Sequence, residues 1–115
     1  MQKTLRSQPL IRAKIIHWTD HARFKMRFYG LSEARVKRII HTPKRIEEGI
    51  APHTVAMMQV SGSTKHPYEL WVMFQDKRGK RNIISAWRYP GKSKPRDEIT
   101  KDFLRSEFKE YEATA

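Results

Sequence analysis

The chain has 115 residues, enough for one domain with a modest core, and a formal net charge of +12. It has no cysteine, which excludes disulfides and thiolate metal sites, and no apolar run approaches the roughly 20 residues that cross a bilayer. The charge excess favours a polyanionic partner, most simply nucleic acid, although some small proteins are basic only for solubility. We expect a cytoplasmic protein without a membrane partner.

The beginning of the chain predicts a basic arm and then a short helix. Residues 1–14 are basic and weakly patterned, so we expect an arm that leads into a short strand. Thr19 and Asp20 offer N-cap oxygens to a helix of residues 21–29. Gly30 follows at the position where a helix C-cap favours the left-handed conformation.

A second helix is predicted from Ser32, its N-cap, to about His41. The apolar residues Val36, Ile39 and Ile40 lie at i, i+3 and i+4, so one stripe of this helix faces a core. A threonine-proline pair then ends the helix, because the residue before proline avoids the helical region.

The middle of the chain changes to a strand pattern. The predicted strands are residues 45–50, 54–60, 68–75 and 81–89. Short turns between them predict an antiparallel meander, and the turn before Lys80 suits a hairpin with Gly79 at positive φ. The last two strands are apolar on both faces, so we expect them to be central, with helices on at least one face.

The end of the chain differs from the rest in charge. A linker rich in lysine and proline, residues 92–96, precedes a helix that Asp97 can cap and that continues to about Glu112. Residues 97–115 hold 6 acidic and 3 basic side chains. This helix either completes the core, which we prefer, or covers a basic sheet as a built-in cap.

These elements predict an α+β fold in which two N-terminal helices pack on an antiparallel sheet of about four strands, followed by a C-terminal helix. The expected organisation is a basic N-terminal arm, a central domain, and a linker with an acidic helix. Their boundaries are residues 1–14, 15–92 and 93–115.

Cations crowd the last predicted hairpin. Lys77, Arg78, Lys80 and Arg81 surround one turn, and Arg88 lies near the far end of the same strand. Arginine suits a phosphate because its planar fork meets two oxygens. The ordinary alternative is a solvated turn of charges.

Aromatic residues accompany these cations. An exposed Trp87 or Tyr89 can stack a base, although core packing is an equal alternative. Arg88 and Tyr89 point to opposite faces unless a bulge realigns them. Strand alternation places Ser85, Trp87 and Tyr89 on one face and Ile84, Ala86 and Arg88 on the other.

Histidine gives one further candidate. His17 and His21 have an i, i+4 spacing, but His17 precedes the helix and no third ligand is positioned by a motif, so we expect no metal and no cofactor. His21 stands in the first helical turn, where backbone N–H groups favour anions. Its imidazole can hold a phosphate or move a proton, or it is an ordinary polar residue near a cap.

Two segments resemble known protein families. Residues 19–32 resemble the opening of a family of small uncharacterised domains that show His-Ala, Arg-Met and Arg-Gly-Ile-Ser. Residues 81–88 resemble the Ile-Ser-Ala-Arg strand of BrnT-type toxins. Both belong to the RelE-like group, whose toxins are metal-free ribonucleases silenced by an antitoxin. The resemblance covers residues 15–92, with departures: Lys25 and Tyr29 replace arginines, and Trp87 is inserted before Arg88.

The resemblance implies a metal-independent endoribonuclease of the mRNA interferase type, the toxin of a toxin-antitoxin system. In that hypothesis His21 or Tyr89 moves the proton, while Arg81 and Arg88 stabilise the developing charge. RNA, including ribosome-bound mRNA, and an acidic antitoxin protein are the expected partners. The expected nucleic-acid contacts are Lys25, Lys77, Arg78, Lys80 and Trp87.

Two alternatives stay open. One is a module of the same fold that binds RNA or DNA without cleaving it, with binding that weakens steeply as salt rises. The other is a protein-interaction domain whose basic face docks an acidic partner.

Overall fold

The computed structural model describes residues 15–48 and 50–114 and has the predicted α+β architecture. The arm predicted for residues 1–14 lies outside the described residues. The strands are β1 (Ile15–Trp18), β2 (Arg45–Glu48), β3 (Thr54–Gly62), β4 (Pro67–Lys77) and β5 (Lys80–Pro90). The helices are α1 (Asp20–Tyr29), α2 (Glu33–His41) and α3 (Glu98–Thr114). None of these helices is both long enough and apolar enough to cross a membrane.

The strands form one sheet of order β1-β5-β4-β3-β2. Strands β2 to β5 make the predicted antiparallel meander, and β4 and β5 are interior, as their apolar sequences predict. The fifth strand, β1, pairs parallel with β5, from Ile15 opposite Lys80 to Trp18 opposite Ile83. The sequence predicted a short strand here but not its pairing.

The predicted caps fix the two N-terminal helices. Thr19 Oγ1 accepts a hydrogen bond from the Ala22 N–H at 3.1 Å and donates one to the Ile83 carbonyl at 2.8 Å. The same threonine therefore starts α1 and ties it to β5. Gly30 ends α1 with φ 68°, and Ser32 Oγ accepts from the Arg35 N–H to start α2.

Apolar side chains form a separate core on each face of the sheet. Helices α1 and α2 cover one face and α3 covers the other. The first core contains Ala22, Met26, Leu31, Val36, Ile39, Leu70, Val72, Phe74, Ile83 and Ala86. The second contains Ala56, Met58, Trp71, Met73, Ile84, Trp87 and Leu104.

The position of Ile84 corrects the alternation predicted for β5. Met73 pairs with Ser85 but Phe74 pairs with Ile83, so β5 carries one extra residue at this point. This β-bulge turns Ile84 to the α3 side of the sheet, where it packs with Trp87. Strict alternation had placed these two residues on opposite faces.

A buried polar network fastens the linker before α3 to the sheet. Glu69, with 1% of its surface exposed, accepts hydrogen bonds from Trp71 Nε1 at 2.9 Å and from the Ser93 N–H and hydroxyl at 2.8 and 2.6 Å. Arg45 donates to the Ser93 carbonyl and hydroxyl, and to Glu47 at 3.1 Å. The linker and α3 therefore belong to the packed structure, which favours the core-completing interpretation of α3.

Candidate nucleic-acid interface

The turn between β4 and β5 presents the predicted cations to solvent. Lys77, Arg78 and Lys80 are exposed, and no carboxylate of the described residues pairs with them. Arg78 and Lys77 border a shallow depression of about 700 Å³, together with His53 and with Asp76, the carboxylate that pairs with Arg81. Lys77, Arg78 and Lys80 are free to meet phosphate groups.

The backbone of this turn is unusual for its sequence. Gly79 has φ 78°, as predicted, and Arg78 also has a positive φ of 50°. Two successive positive φ angles in a two-residue hairpin loop are typical of a type I′ turn, where asparagine, aspartate or glycine is preferred at the first position. An arginine therefore stands where another residue would be less strained.

Arg81, unlike the cations at the turn, is paired with a carboxylate. Its guanidinium donates to both carboxylate oxygens of Asp76, at 2.8 and 2.9 Å, and lies 4.1 Å from the centre of the Phe74 ring. A bidentate pair of this geometry holds the arginine against the sheet. The cation predicted to stabilise a cleavage intermediate is already engaged by a carboxylate.

Arg88 lies far from Arg81 on the same strand. They are seven positions apart, which corresponds to about 20 Å along β5. Arg88 is exposed and its guanidinium lies 4.6 Å from the centre of the Tyr68 ring. The structure therefore does not bring the two predicted arginines to one phosphate.

Trp87 and Tyr89 lie on the opposite face of β5 from Arg88, under α3. Trp87 is 4% exposed and stacks parallel on Trp71 at 5.7 Å between ring centres. Tyr89 is half-buried against Phe103 of α3, 4.9 Å away. Of the two interpretations, the core-packing one describes Trp87, whose ring offers no open face to a base. Tyr89 and Arg88 do not converge.

His21 and Lys25 of α1 lie in a charged cluster with two glutamates of α3. Lys25 Nζ is 3.1 Å from Glu107 Oε2 and 3.4 Å from Glu110 Oε1, both on α3. Glu107 also accepts a hydrogen bond from the Ser85 hydroxyl at 2.6 Å. Lys25 is buried, so the side chain predicted to contact nucleic acid instead joins α1 to α3.

The cluster changes the acidity of both α1 side chains. Burial, and then the positive charge of Lys25, lower the pKa of His21 below its usual 6.5. Burial opposes the charge of Lys25, but Glu107 and then Glu110 raise its pKa above 10.5. His21 Nε2 is buried without a hydrogen-bond partner among the described residues and lies 4.0 Å from Glu110. At neutral pH the site therefore holds a neutral imidazole beside an ammonium.

Three side chains of this cluster have the donor types of a metal site. One donor atom each of His21, Glu107 and Glu110 lies within 4.8 Å of the others. The Lys25 ammonium, however, already bridges the two carboxylates and supplies the positive charge that they attract. His17, the predicted pairing candidate, is on β1 and is not a member of this group.

The candidate residues thus divide into three places. The cations of the β4–β5 turn stay together, Arg88 is isolated at the other end of β5, and His21 lies with Lys25 beneath α3. Sequence reasoning missed Glu107, which pairs with Lys25, and Ser85, which donates a hydrogen bond to Glu107. The only signal was that Glu107 and Glu110 are three residues apart on a predicted helix, which puts them on one face.

Comparisons with known proteins identify no relatives. No family model matches the chain, and neither a curated protein nor a solved structure gives a significant match. The likeness to RelE-like toxins therefore depends on the short motifs in residues 19–32 and 81–88.

Proposed function

We propose that this protein binds nucleic acid, primarily RNA, through the phosphate backbone. The observation that carries the proposal is the group of exposed cations at the β4–β5 turn, Lys77, Arg78 and Lys80, which lack carboxylate partners in the described chain. A net charge of +12 adds long-range attraction for the same ligand. Phosphate contacts of this kind give affinity that depends strongly on salt.

The geometry supports binding better than cleavage. Cleaving a phosphodiester requires a proton-transfer group and charge-stabilising cations within hydrogen-bonding reach of one phosphate. Arg81 is held by Asp76, and Arg88 is about 20 Å away along the strand. The Glu110 carboxylate, 4.0 Å from His21, would repel a phosphate approaching that imidazole.

The environment of His21 favours a second candidate function, the metal-independent endoribonuclease of a toxin-antitoxin system. His21 has an unpartnered Nε2 and a lowered pKa, and it borders a groove of about 510 Å³ between α1 and the end of α3. A neutral imidazole in this position can act as a general base. An acidic antitoxin-like partner belongs to this candidate function.

Cleavage is tested by incubating labelled RNA with the protein in chelator, with and without ribosomes. His21→Asn and Arg88→Ala are the variants to compare. Intact RNA in every reaction, together with RNA binding that weakens as salt rises, supports the binding module. Metal-free cleavage that both variants abolish, with binding retained, supports the endoribonuclease.

Binding is tested by fluorescence anisotropy of a labelled single-stranded RNA. The variant Lys77→Ala/Lys80→Ala removes two turn cations, and Lys65→Ala, an exposed lysine between β3 and β4 at the other end of the sheet, controls for general charge loss. We expect weaker binding of the turn variant and a small effect at Lys65. A DNA strand of the same sequence reports whether the ribose contributes.

A further inference from the structure

Helix α1 exposes two phenylalanines on its outer side. Phe24 is 56% exposed and Phe28 is 71% exposed, although Ala22 and Met26 of the same helix are buried in the core. Phe24 and Phe28 are four residues apart, so they lie on one side of the helix, about 6 Å apart along its axis. Two neighbouring exposed aromatic rings form an apolar patch, which is a feature of interaction surfaces.

Cationic side chains alternate with these rings. Arg23 and Arg27 are also four residues apart on α1, and both are exposed. Arg27 pairs with no carboxylate of the described chain, and Arg23 forms only an exposed pair with Glu33 at 3.3 Å. An exposed ion pair of this kind is weak, so Arg23 can exchange Glu33 for a phosphate at little cost.

The environment of the two rings is not the same. Phe24 lies beside the groove that Asp20 and Glu110 also line, so carboxylates are close to it. Phe28 is the more exposed ring and packs edge-on against Tyr29, with ring centres 4.8 Å apart. That contact restricts the Phe28 ring and leaves its outer surface open.

We propose that α1 is a stacking platform for single-stranded RNA, on which unpaired bases stack against Phe28 and Phe24 while Arg27 and Arg23 contact the adjacent phosphates. The inference rests on the proposed function and assigns to it a site for the bases. Aromatic rings beside cations are the common arrangement of single-strand binding surfaces, because every base has a face that stacks. The alternation of arginine with phenylalanine favours a polyanion with flat apolar groups over an uncharged protein surface.

Substitutions of Phe28 test the platform, since the side chain is exposed and its loss leaves the core intact. Affinity is measured for a single strand and for a duplex of the same length. For the single strand we expect Phe28→Ala to weaken binding about 5- to 100-fold. Phe28→Leu should weaken it to a similar degree, because leucine keeps the apolar character but not the ring, whereas Phe28→Trp should retain binding.

Further comparisons separate stacking from other causes. Ile99 of α3 is 65% exposed, so Ile99→Ala controls for the loss of an exposed apolar side chain. Phe24→Ala should have a smaller effect than Phe28→Ala, and duplex binding should change little in either variant. Thermal unfolding of each variant should match that of the unchanged protein.

The outcomes also separate this inference from the proposed function. Normal RNA binding by Phe28→Ala or Phe28→Leu overturns the platform alone. Equal losses for duplex and single strand overturn it too. If Phe28→Ala abolishes a concentration-dependent self-association seen by sedimentation, and RNA affinity is unchanged, the surface is a protein contact. Absence of RNA binding by the unchanged protein overturns both proposals.

Discussion

Lys25 of α1 and Glu107 of α3 form an enclosed ion pair of 3.1 Å beside β5. Both side chains are nearly buried, with 10% and 12% of their surfaces exposed. The Ser85 hydroxyl of β5 donates to the second oxygen of Glu107. Three elements that are far apart in the sequence thus meet at one carboxylate.

Removing one partner of this pair should be costly. Lys25→Met leaves Glu107 without its counter-charge in an enclosed site, which we expect to lower the free energy of unfolding by about 3 kcal/mol. Adding Glu107→Gln should recover more than half of that loss, because the amide is neutral and still accepts from Ser85. Urea unfolding of the single and double variants measures both values.

An exposed lysine provides the matched control. Lys101 of α3 pairs with Glu98 at 3.7 Å in solvent, so Lys101→Met should cost less than about 0.5 kcal/mol. Equal effects at Lys101 and Lys25 would contradict a special role for the enclosed pair.

Deleting residues 97–115 should unfold the second core rather than expose an RNA-binding surface. Leu104 is fully buried, and Phe103 contacts both Trp71 and Trp87 edge-on, at 5.5 and 6.1 Å between ring centres. We expect the truncated chain to lose its cooperative thermal transition and its tertiary circular dichroism. A truncated chain that unfolds cooperatively and binds RNA more tightly would instead identify α3 as a cap.

Stability should fall in mildly acidic solution because of His21. Burial and Lys25 lower its pKa in the folded protein, so the unfolded chain binds this proton more tightly. The stabilisation is complete above the unfolded value of 6.5 and is lost as the pH falls from there towards the folded pKa. Urea unfolding at about pH 7.5 and pH 5.5 should show a larger loss for the unchanged protein than for His21→Gln. Identical losses would show that the imidazole does not contribute.

Arg78→Asn should separate turn strain from charge. Asparagine accepts the positive φ of this position better than arginine does, so we expect the variant to gain up to about 1 kcal/mol of stability. It should also bind RNA more weakly, since one exposed cation is lost. Arg78→Lys keeps both the strain and the charge and should change neither property. A destabilised Arg78→Asn variant would contradict this description of the turn.

The sequence predicted the fold well because its signals are local. Thr19, Gly30 and Ser32 mark helix ends through their own side chains or backbone freedom, and each does so in the structure. The apolar runs of β4 and β5 predicted interior strands, and the short turns predicted the meander. The parallel pairing of β1 with β5 was not predictable, because it joins segments separated by two helices and three strands.

The candidate site was harder to predict because it depends on tertiary contacts. The bulge at Ile84 arises from the register between β4 and β5, which no single strand encodes. Trp87 and Lys25 have the character of binding residues in the sequence, but α3 encloses both. Only the turn cations, whose exposure follows from the hairpin itself, could be located from local sequence.

The most direct test of phosphate binding by the β4–β5 turn is the salt dependence of RNA affinity. The variant Lys77→Ala/Arg78→Ala/Lys80→Ala is compared with Lys65→Ala/Lys92→Ala/Lys94→Ala, which removes the same charge from exposed positions elsewhere. If the turn cations contact phosphates, their removal should reduce the slope of log affinity against log salt by about 2. The control should reduce it by less than half as much. Equal slopes for the turn variant and the unchanged protein would contradict the proposed interface.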